Sequence, residues 1–397
     1  MLIDTRLLIS IGFFLRLIVA IWNGFFDFEF GQTADPASFH GWAAIFSNNP
    51  TVLNCEENIR HVMSCGLGFV YFLTTDSRFI GSLMSILAWL VSALILMKIM
   101  GILLVEKSNQ KKMLLVYALL PSSIIVTSVT LREPYQLLFV NLAVLAAINI
   151  YWNKSYMHWL TMLFSVYFMS LLHRGLVVFG TYILASTLIL LARRRYKNGF
   201  NKIKLVFALP ILVLIVTMGV KVIFDSGRDF GSLRDGLAVG IQNYQNGGVR
   251  TALQYGASTT YRDTVVDIKS DSDLILFIPN ALFQYLFEPM PWRVSRPQDI
   301  AIVLENLLRV YLIWKGWTGM RRASGKMKNA MFFIFISYFA IEVIFAQGTI
   351  NWGTAVRHHI PGLGLLVLSA FAYSKPRRLR PKPLTPINAA IKTENQI

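Results

Sequence analysis

Apolar segments of membrane-spanning length recur along this 397-residue chain and constrain its fold more than any other feature. A helix needs about 20 mainly apolar residues to cross a bilayer. Hydrophobic residues make up 55% of the sequence and charged residues only 15%, which excludes an ordinary soluble domain. The candidate spans lie at residues 7–26, 79–105, 113–131, 135–152, 159–172, 176–192, 205–224, 300–317, 330–346 and 362–373. The sequence therefore predicts an all-α polytopic membrane protein with about ten transmembrane helices.

Two longer connections interrupt this series of spans. Residues 27–78 contain two short apolar stretches, at 36–46 and 66–75, which predict helices lying in the membrane interface. Residues 225–299 form a long connection between spans seven and eight, and its apolar part at 274–291 leaves a re-entrant hairpin open. We expect a single transmembrane domain over residues 1–374. Residues 375–397 form a basic cytoplasmic tail that we expect to be unstructured.

The positive charge of the chain lies almost entirely on one side of the predicted spans. Five short connections, at residues 106–112, 153–158, 193–204, 315–328 and 375–382, carry 20 Lys and Arg against one acid. The long connection at 225–299 carries 7 basic and 9 acidic residues. The positive-inside rule then predicts that both termini are cytoplasmic. This distribution also explains the net charge of +17 without nucleic acid, for which no binding motif is present.

With that orientation, the residues suited to chemistry converge on the outer face. Acids, histidines, arginines and an aromatic side chain come there from five separate connections. They are Asp35, His40, Arg132, Glu133, His173, Arg174, Glu288, Trp292, Arg357 and His358. The inner connections offer only solvated positive charge, so we expect chemistry at the outer face.

Some of these residues also have simpler structural interpretations. Asp35 before Pro36 is typical of a helix cap, and a cap carboxylate can still accept a proton. Arg132 and Glu133 could form an interfacial ion pair of little energetic consequence. Inside the spans, Arg16 and Glu342 are functional candidates because charges in lipid are costly.

Two further pairs are interpreted from their spacing alone. Glu305 and Arg309 are four residues apart and predict a structural ion pair on one helix face. Cys55 and Cys65 are the only cysteines, both in the first outer connection. They could form a disulfide bond in an oxidising compartment, and their spacing leaves this open.

The outer residues fit transfer of a sugar from a polyprenyl phosphate or diphosphate. The acceptor hydroxyl needs a general base, and a carboxylate can serve as one. The leaving phosphate needs positive hydrogen-bond donors, and the planar fork of arginine gives two directed bonds. A membrane interface holds a lipid carrier with its head in water and its tail in the bilayer.

Several short motifs resemble the GT-C superfamily of membrane glycosyltransferases. These are a first span that contains Arg16, then Asp35 followed by Phe39, His40 and Ala43, and the stretch PSSIIVTSVTLRE that ends at Glu133. The turn NWGTAVRHHIP resembles the entry to a final helix in polysaccharide-assembly membrane proteins, including O-antigen-type polymerases. The resemblance implies that Asp35 is the catalytic base, that Glu133 is a second acid for acceptor or metal, and that Arg357 is a phosphate ligand.

The resulting hypothesis is a glycosyltransferase of a bacterial inner membrane, with a polyprenyl-linked glycan as donor in surface-polysaccharide assembly. It adds one sugar or polymerises repeat units, and other assembly proteins of the membrane are candidate partners. No cofactor is predicted, and a divalent cation stays open. A transporter or flippase for lipid-linked glycan is the alternative, and it would depend more on Arg16 and Glu342. A membrane acyltransferase fits less well because no histidine lies inside a span beside a catalytic partner.

Overall fold

The structure is a computed structural model that describes residues 4–26, 34–51, 59–195, 239–243, 245–247, 249–250, 260–262 and 266–373. This part of the chain is helical, apart from connections, a 3-10 turn at Pro291–Arg293 and one isolated antiparallel bridge between Thr260 and Asn351. The predicted span at 205–224 and the basic tail lie outside the described residues. So does Cys55, whose pairing the sequence left open, whereas Cys65 is disulfide-bonded.

The helices of the first half of the chain are numbered α1 to α9. They are α1 (Thr5–Phe25), α2 (Ala34–Asn48), α3 (Ile59–Leu73), α4 (Arg78–Ile102), α5 (Lys107–Leu119), α6 (Pro121–Val126), α7 (Glu133–Asn153), α8 (His158–Leu172) and α9 (Gly175–Arg195). The second half contains α10 (Asp271–Phe287), α11 (Pro297–Arg322), α12 (Gly325–Gly348), α13 (Trp352–His358) and α14 (Leu363–Phe371).

Five of these helices are long and apolar enough to cross a membrane, which indicates a membrane-embedded protein. They are α1, α4, α7, α9 up to Ala192, and α12. The predicted helices of the first outer connection also form, as α2 and α3 of 15 residues each. Helix α1 exposes Phe14, Ile18 and Phe25, as expected of a helix that faces lipid.

The predicted spans at 159–172 and 300–317 form α8 and α11, which are not among these five helices. Two other predicted spans take a different form. The span at 113–131 is not one helix, because α5 ends at Leu119 and α6 begins at Pro121, whose ring cannot continue the hydrogen-bond ladder. The span at 362–373 forms the nine-residue α14. At 1.5 Å per residue it is about 14 Å long, roughly half the thickness of a bilayer core. All nine residues of α14 are buried, so its apolar sequence reflects packing inside the protein.

Helix α7 lies at the centre of the packing and is the most buried of the five long apolar helices. It contacts α4, α8 and α9 along its length, while α14 packs against α11, α12 and α5. The first turn of α7 contains Glu133 and Pro134, an acid and a proline suited to a helix start. The beginning of α7 thereby places Arg132 and Glu133 at one end of the buried core.

The buried Arg16 joins α1 to this core. Its guanidinium donates to Thr127 Oγ1 at 2.7 Å, to Ser123 Oγ at 2.9 Å and to the Ala118 carbonyl at 2.8 Å. It also lies 3.6 Å from the ring centre of Trp89. These bonds compensate the burial of its charge and give Arg16 a structural role, because its bonds go to α5, α6 and the residue after α6.

Candidate functional site

Three charged groups from distant parts of the sequence meet at one end of the helical bundle. Arg357 Nη1 donates to Asp35 Oδ2 at 2.8 Å. Arg357 Nη2 and Nε donate to Glu133 Oε1 at 2.9 and 3.2 Å. The side chain of Glu133 is buried at 2% exposed and that of Arg357 is mostly covered at 12% exposed, whereas the side chain of Asp35 is 54% exposed. The cluster therefore contains a buried ion pair and one carboxylate that a ligand can reach.

Each of these residues lies near the end of a helix whose dipole suits its charge. Asp35 is in the first turn of α2, and Glu133 is the first residue of α7. Arg357 is in the last turn of α13. Carboxylates are stabilised at helix N-termini and cations at C-termini. The expectation that Asp35 precedes and caps its helix is wrong, because α2 already begins at Ala34.

The electrostatics of Arg357 follow from its two partners. Burial by itself lowers the pKa of a guanidinium, since it penalises the charged form. The charges of Glu133 and Asp35 outweigh burial and hold the pKa of Arg357 above its ordinary value. Arg357 is thus a permanent cation between two carboxylates, and it uses three of its five N–H donors on them.

Further predicted residues surround this cluster. The Arg132 guanidinium lies 5.1 Å from the ring centre of Phe39, and its Nη1 donates to the Leu172 carbonyl at 3.2 Å. The rings of His173 and His358 are 5.9 Å apart. Six of the ten predicted site residues therefore lie together, and His40 contacts Tyr71 instead. The six are Asp35, Arg132, Glu133, His173, Arg357 and His358.

Burial favours the neutral form of the histidines in this region. Burial, and then the charge of Arg132, hold the pKa of His173 well below its usual range. For His358, burial lowers the pKa most and the charges of Arg357 and Arg132 lower it further. His40 contacts the Tyr71 hydroxyl through Nδ1 at 2.9 Å, and burial lowers its pKa as well. These side chains can therefore exchange hydrogen bonds without adding charge to the cluster.

Three buried polar atoms beside the cluster lack a hydrogen-bond partner within the described part of the chain. They are Arg132 Nε, Glu133 Oε2 and Gln136 Oε1. Such atoms are costly unless water or a ligand satisfies them. Sequence reasoning missed Gln136, although it lies one helical turn beyond Arg132. The unused donors and acceptors indicate that this end of the bundle can bind a polar group.

The remaining predicted residues do not join the cluster. Glu288 pairs with Arg293 at 2.9 Å, and the Arg293 guanidinium lies over the Trp352 ring at the start of α13. Trp292 is 80% exposed. Arg174 is also exposed, and its side chain makes no hydrogen bond or ion pair with the rest of the described chain. Glu288 therefore supports the helix that carries Arg357.

The divalent-cation site left open by the sequence has no set of ligands in the described residues. No group of three His, Cys, Asp or Glu side chains there could hold a metal ion. Between Asp35 and Glu133 lies the guanidinium of Arg357, which already supplies positive charge to both acids.

Comparisons with known proteins assign no family and no function to this chain. No protein-family model, curated protein or solved structure matches the chain.

Proposed function

We propose that this protein is a GT-C-like glycosyltransferase of a bacterial inner membrane, acting at the periplasmic face. It transfers a sugar or oligosaccharide from a polyprenyl-phosphate-linked donor during surface-polysaccharide assembly. One observation carries the proposal. The accessible carboxylate of Asp35 lies beside the buried Arg357–Glu133 pair, at a bundle end where Arg132 retains an unused donor.

The proposed reaction uses these groups in two roles. Asp35 accepts the proton of the acceptor hydroxyl, whose oxygen bonds to the anomeric carbon of the donor sugar. The bond between that carbon and the phosphate oxygen breaks, and the phosphate leaves with the electron pair. Arg132 Nε and the two N–H groups of Arg357 that remain free of carboxylate bind this phosphate. Glu133 is a positioning residue that holds Arg357.

The charge distribution supports the outward orientation of this site. The cluster lies where α1 is followed by α2, where α7 begins and where α8 and α12 end. The basic connections at residues 153–158 and 315–328 lie at the opposite ends of α7, α8 and α12, and the basic connection at 106–112 joins α4 to α5. The positive-inside rule therefore supports a periplasmic position for the cluster, where lipid-linked donors and not nucleotide sugars are available.

The bonding of Arg16 weakens the transport alternative. A transporter was expected to depend on Arg16 and Glu342, but Arg16 is held by α5, α6 and Thr127. Two versions of the enzyme remain, a transferase of single sugars and a polymerase of repeat units. The long connection at 225–299 favours the larger acceptor of a polymerase, since it adds a polar segment on the same side.

A glycan profile of a strain lacking the gene tests the proposal. Surface and lipid-linked glycans are compared by gel and mass spectrometry after complementation with wild type, Asp35→Asn or Glu106→Gln. Glu106 is the matched control, an exposed acid at the start of α5 on the opposite side. Wild type and Glu106→Gln should restore the profile, and Asp35→Asn should not.

The defect also separates the two versions of the enzyme. A ladder that collapses to one repeat indicates a polymerase, and loss of one sugar from every repeat indicates a single-sugar transferase. A deletion strain with an unchanged profile would overturn the assignment to glycan assembly. Full restoration by Asp35→Asn would overturn the role of Asp35.

A further inference from the structure

A second polar cluster lies within the helical core and takes no part in the proposed transfer reaction. His359 Nδ1 lies 2.6 Å from Glu342 Oε2, and His359 Nε2 lies 3.3 Å from the Tyr285 carbonyl. Glu305 and Arg309 on α11 complete the cluster. All four of these titratable side chains are more than nine-tenths buried. Charged groups at such a depth are expensive, which makes the cluster a functional candidate.

The cluster differs from the pairing that sequence spacing suggested. Glu305 and Arg309 do not form an ion pair. Glu305 Oε1 accepts from the Ser122 backbone N–H at 2.8 Å, and Arg309 Nη1 donates to Asn306 Oδ1 at 2.6 Å. The two side chains instead line a cavity of about 20 Å³, together with Ser122, Glu342 and His359.

This cavity has the size and polarity of a site for one water molecule. A single water needs about 10–15 Å³ on this measure and two to four polar partners. Glu342 Oε1 is buried and accepts no well-formed hydrogen bond in the described part of the chain, although the Tyr285 hydroxyl faces this carboxyl group. The N–H donors of Arg309 and the second oxygen of Glu305 can complete the coordination of a water between them.

The contacts of His359 determine where hydrogens must lie. A carbonyl oxygen only accepts, so the Nε2 that faces Tyr285 carries a hydrogen. The Nδ1 to Oε2 contact at 2.6 Å then needs a hydrogen of its own, since two lone pairs would repel. One additional proton therefore lies between Glu342 and His359. In a core of low dielectric the neutral form, a carboxylic acid that donates to Nδ1, is favoured over separated charges.

Charge balance also indicates one additional proton between Glu342 and His359. The groups that face Glu342 are His359, Arg309 and Glu305, with the hydroxyls of Tyr285 and Tyr338. The charges of Arg309 and Glu305 sum to zero although the two side chains form no ion pair, so a protonated Glu342 beside a neutral His359 leaves the cluster without net charge. Gly362 permits this arrangement, because a Cβ there would lie 2.8 Å from Glu342 Oε1.

We propose that Glu342, His359 and Arg309 form a buried site that binds one proton, held on Glu342, and one water molecule. The site takes no chemical part in the proposed sugar transfer, since it requires no glycan, and its residues come from α11, α12 and the end of α13. It gives the protein a second proton-binding centre, directly after Arg357 and His358 in the sequence.

Infrared spectroscopy of the full-length protein tests this site without an assay of activity. Protein purified in a detergent free of ester and carboxyl groups should show the C=O band of a protonated carboxylic acid at pH 7. The band should move to lower frequency after exchange into D2O and after ¹³C-glutamate labelling. It should be absent in Glu342→Gln and present in Glu305→Gln, a matched change in the wall of the same cavity.

Two results would overturn the proposal. One is the absence of a protonated-carboxyl band in the wild type, a measurement that needs no variant to fold. The other is a band that survives Glu342→Gln, in particular one that Glu305→Gln removes. Size-exclusion chromatography verifies that each variant is folded, and His359→Gln should shift the frequency of the band because the acid loses its acceptor.

Discussion

The Arg357–Glu133 ion pair should contribute much more to stability than the Arg357–Asp35 pair. In Arg357→Met the buried carboxylate of Glu133, 2% exposed, loses its ion-pair partner, and only the charge of Arg132, which is not within ion-pair distance, remains nearby. Removing one partner of a buried pair costs about 3–5 kcal/mol in the free energy of unfolding. Asp35 is 54% exposed, and an exposed pair contributes less than about 1 kcal/mol. We therefore expect a cost of about 3–5 kcal/mol for Arg357→Met and below about 1 kcal/mol for Asp35→Asn.

A double substitution separates loss of the ion pair from loss of packing. In Arg357→Met with Glu133→Gln, the uncompensated charge is gone and only an unsatisfied amide remains, at about 1–3 kcal/mol. The double variant should thus be more stable than Arg357→Met alone. Equilibrium unfolding in mixed micelles with increasing fractions of SDS measures all four proteins.

The expected order of stability can fail in two ways. If Arg357→Met and Asp35→Asn have equal costs, the buried pair does not hold the cluster together. If the double variant is less stable than Arg357→Met, the charge of Glu133 is compensated by some group other than Arg357. Either result would also remove the positioning role proposed for Glu133.

Three further predictions concern other parts of the molecule. Burial and nearby arginines lower the pKa of His358, so the folded state binds fewer protons than the unfolded chain. As the pH is lowered from about 6.5, the ordinary histidine pKa, the free energy of unfolding should therefore decrease by up to about 1.4 kcal/mol per pH unit. Unfolding at pH 7 and 5.5 should show a smaller loss in His358→Gln. Arg16→Lys should cost at least about 2 kcal/mol, because a single ammonium cannot reach all its acceptors, and activity per folded molecule should not change. Gly364→Ala should destabilise by about 1–3 kcal/mol, since its Cβ would collide with Asn141, whereas Gly101→Ala, with open space, should not.

The long apolar helices could be predicted from sequence because each is encoded within itself. Composition alone locates α1, α4, α7, α9 and α12. Breaks within helices and the surroundings of short helices were predicted less well from the sequence. The break at Leu120 comes from one proline in an apolar stretch, and α14 is apolar because it is buried by protein. Hydropathy does not distinguish contact with lipid from contact with other helices.

The side of the bundle on which the site lies was also predictable, but its contacts were not. Alternation of basic connections placed Asp35, Glu133 and Arg357 on one side. Their hydrogen bonds join residues 322 and 224 positions apart in sequence, which no local pattern encodes. For Glu305 and Arg309 the local pattern was misleading. Their spacing on one helix predicted an ion pair, but each side chain bonds to a different partner.

The C-terminal end of α13, residues 357–359, links the two polar clusters. Three successive residues contact different partners: Arg357 binds Glu133, His358 Nδ1 contacts Thr349 Oγ1 at 2.9 Å, and His359 contacts Glu342. A seven-residue helix has little stability of its own, so tertiary contacts must fix α13. The inner proton site therefore holds the C-terminal end of the helix that presents Arg357. Loss of the proton on Glu342 would weaken the contact with His359, and the position of Arg357 in the outer cluster would depend on it.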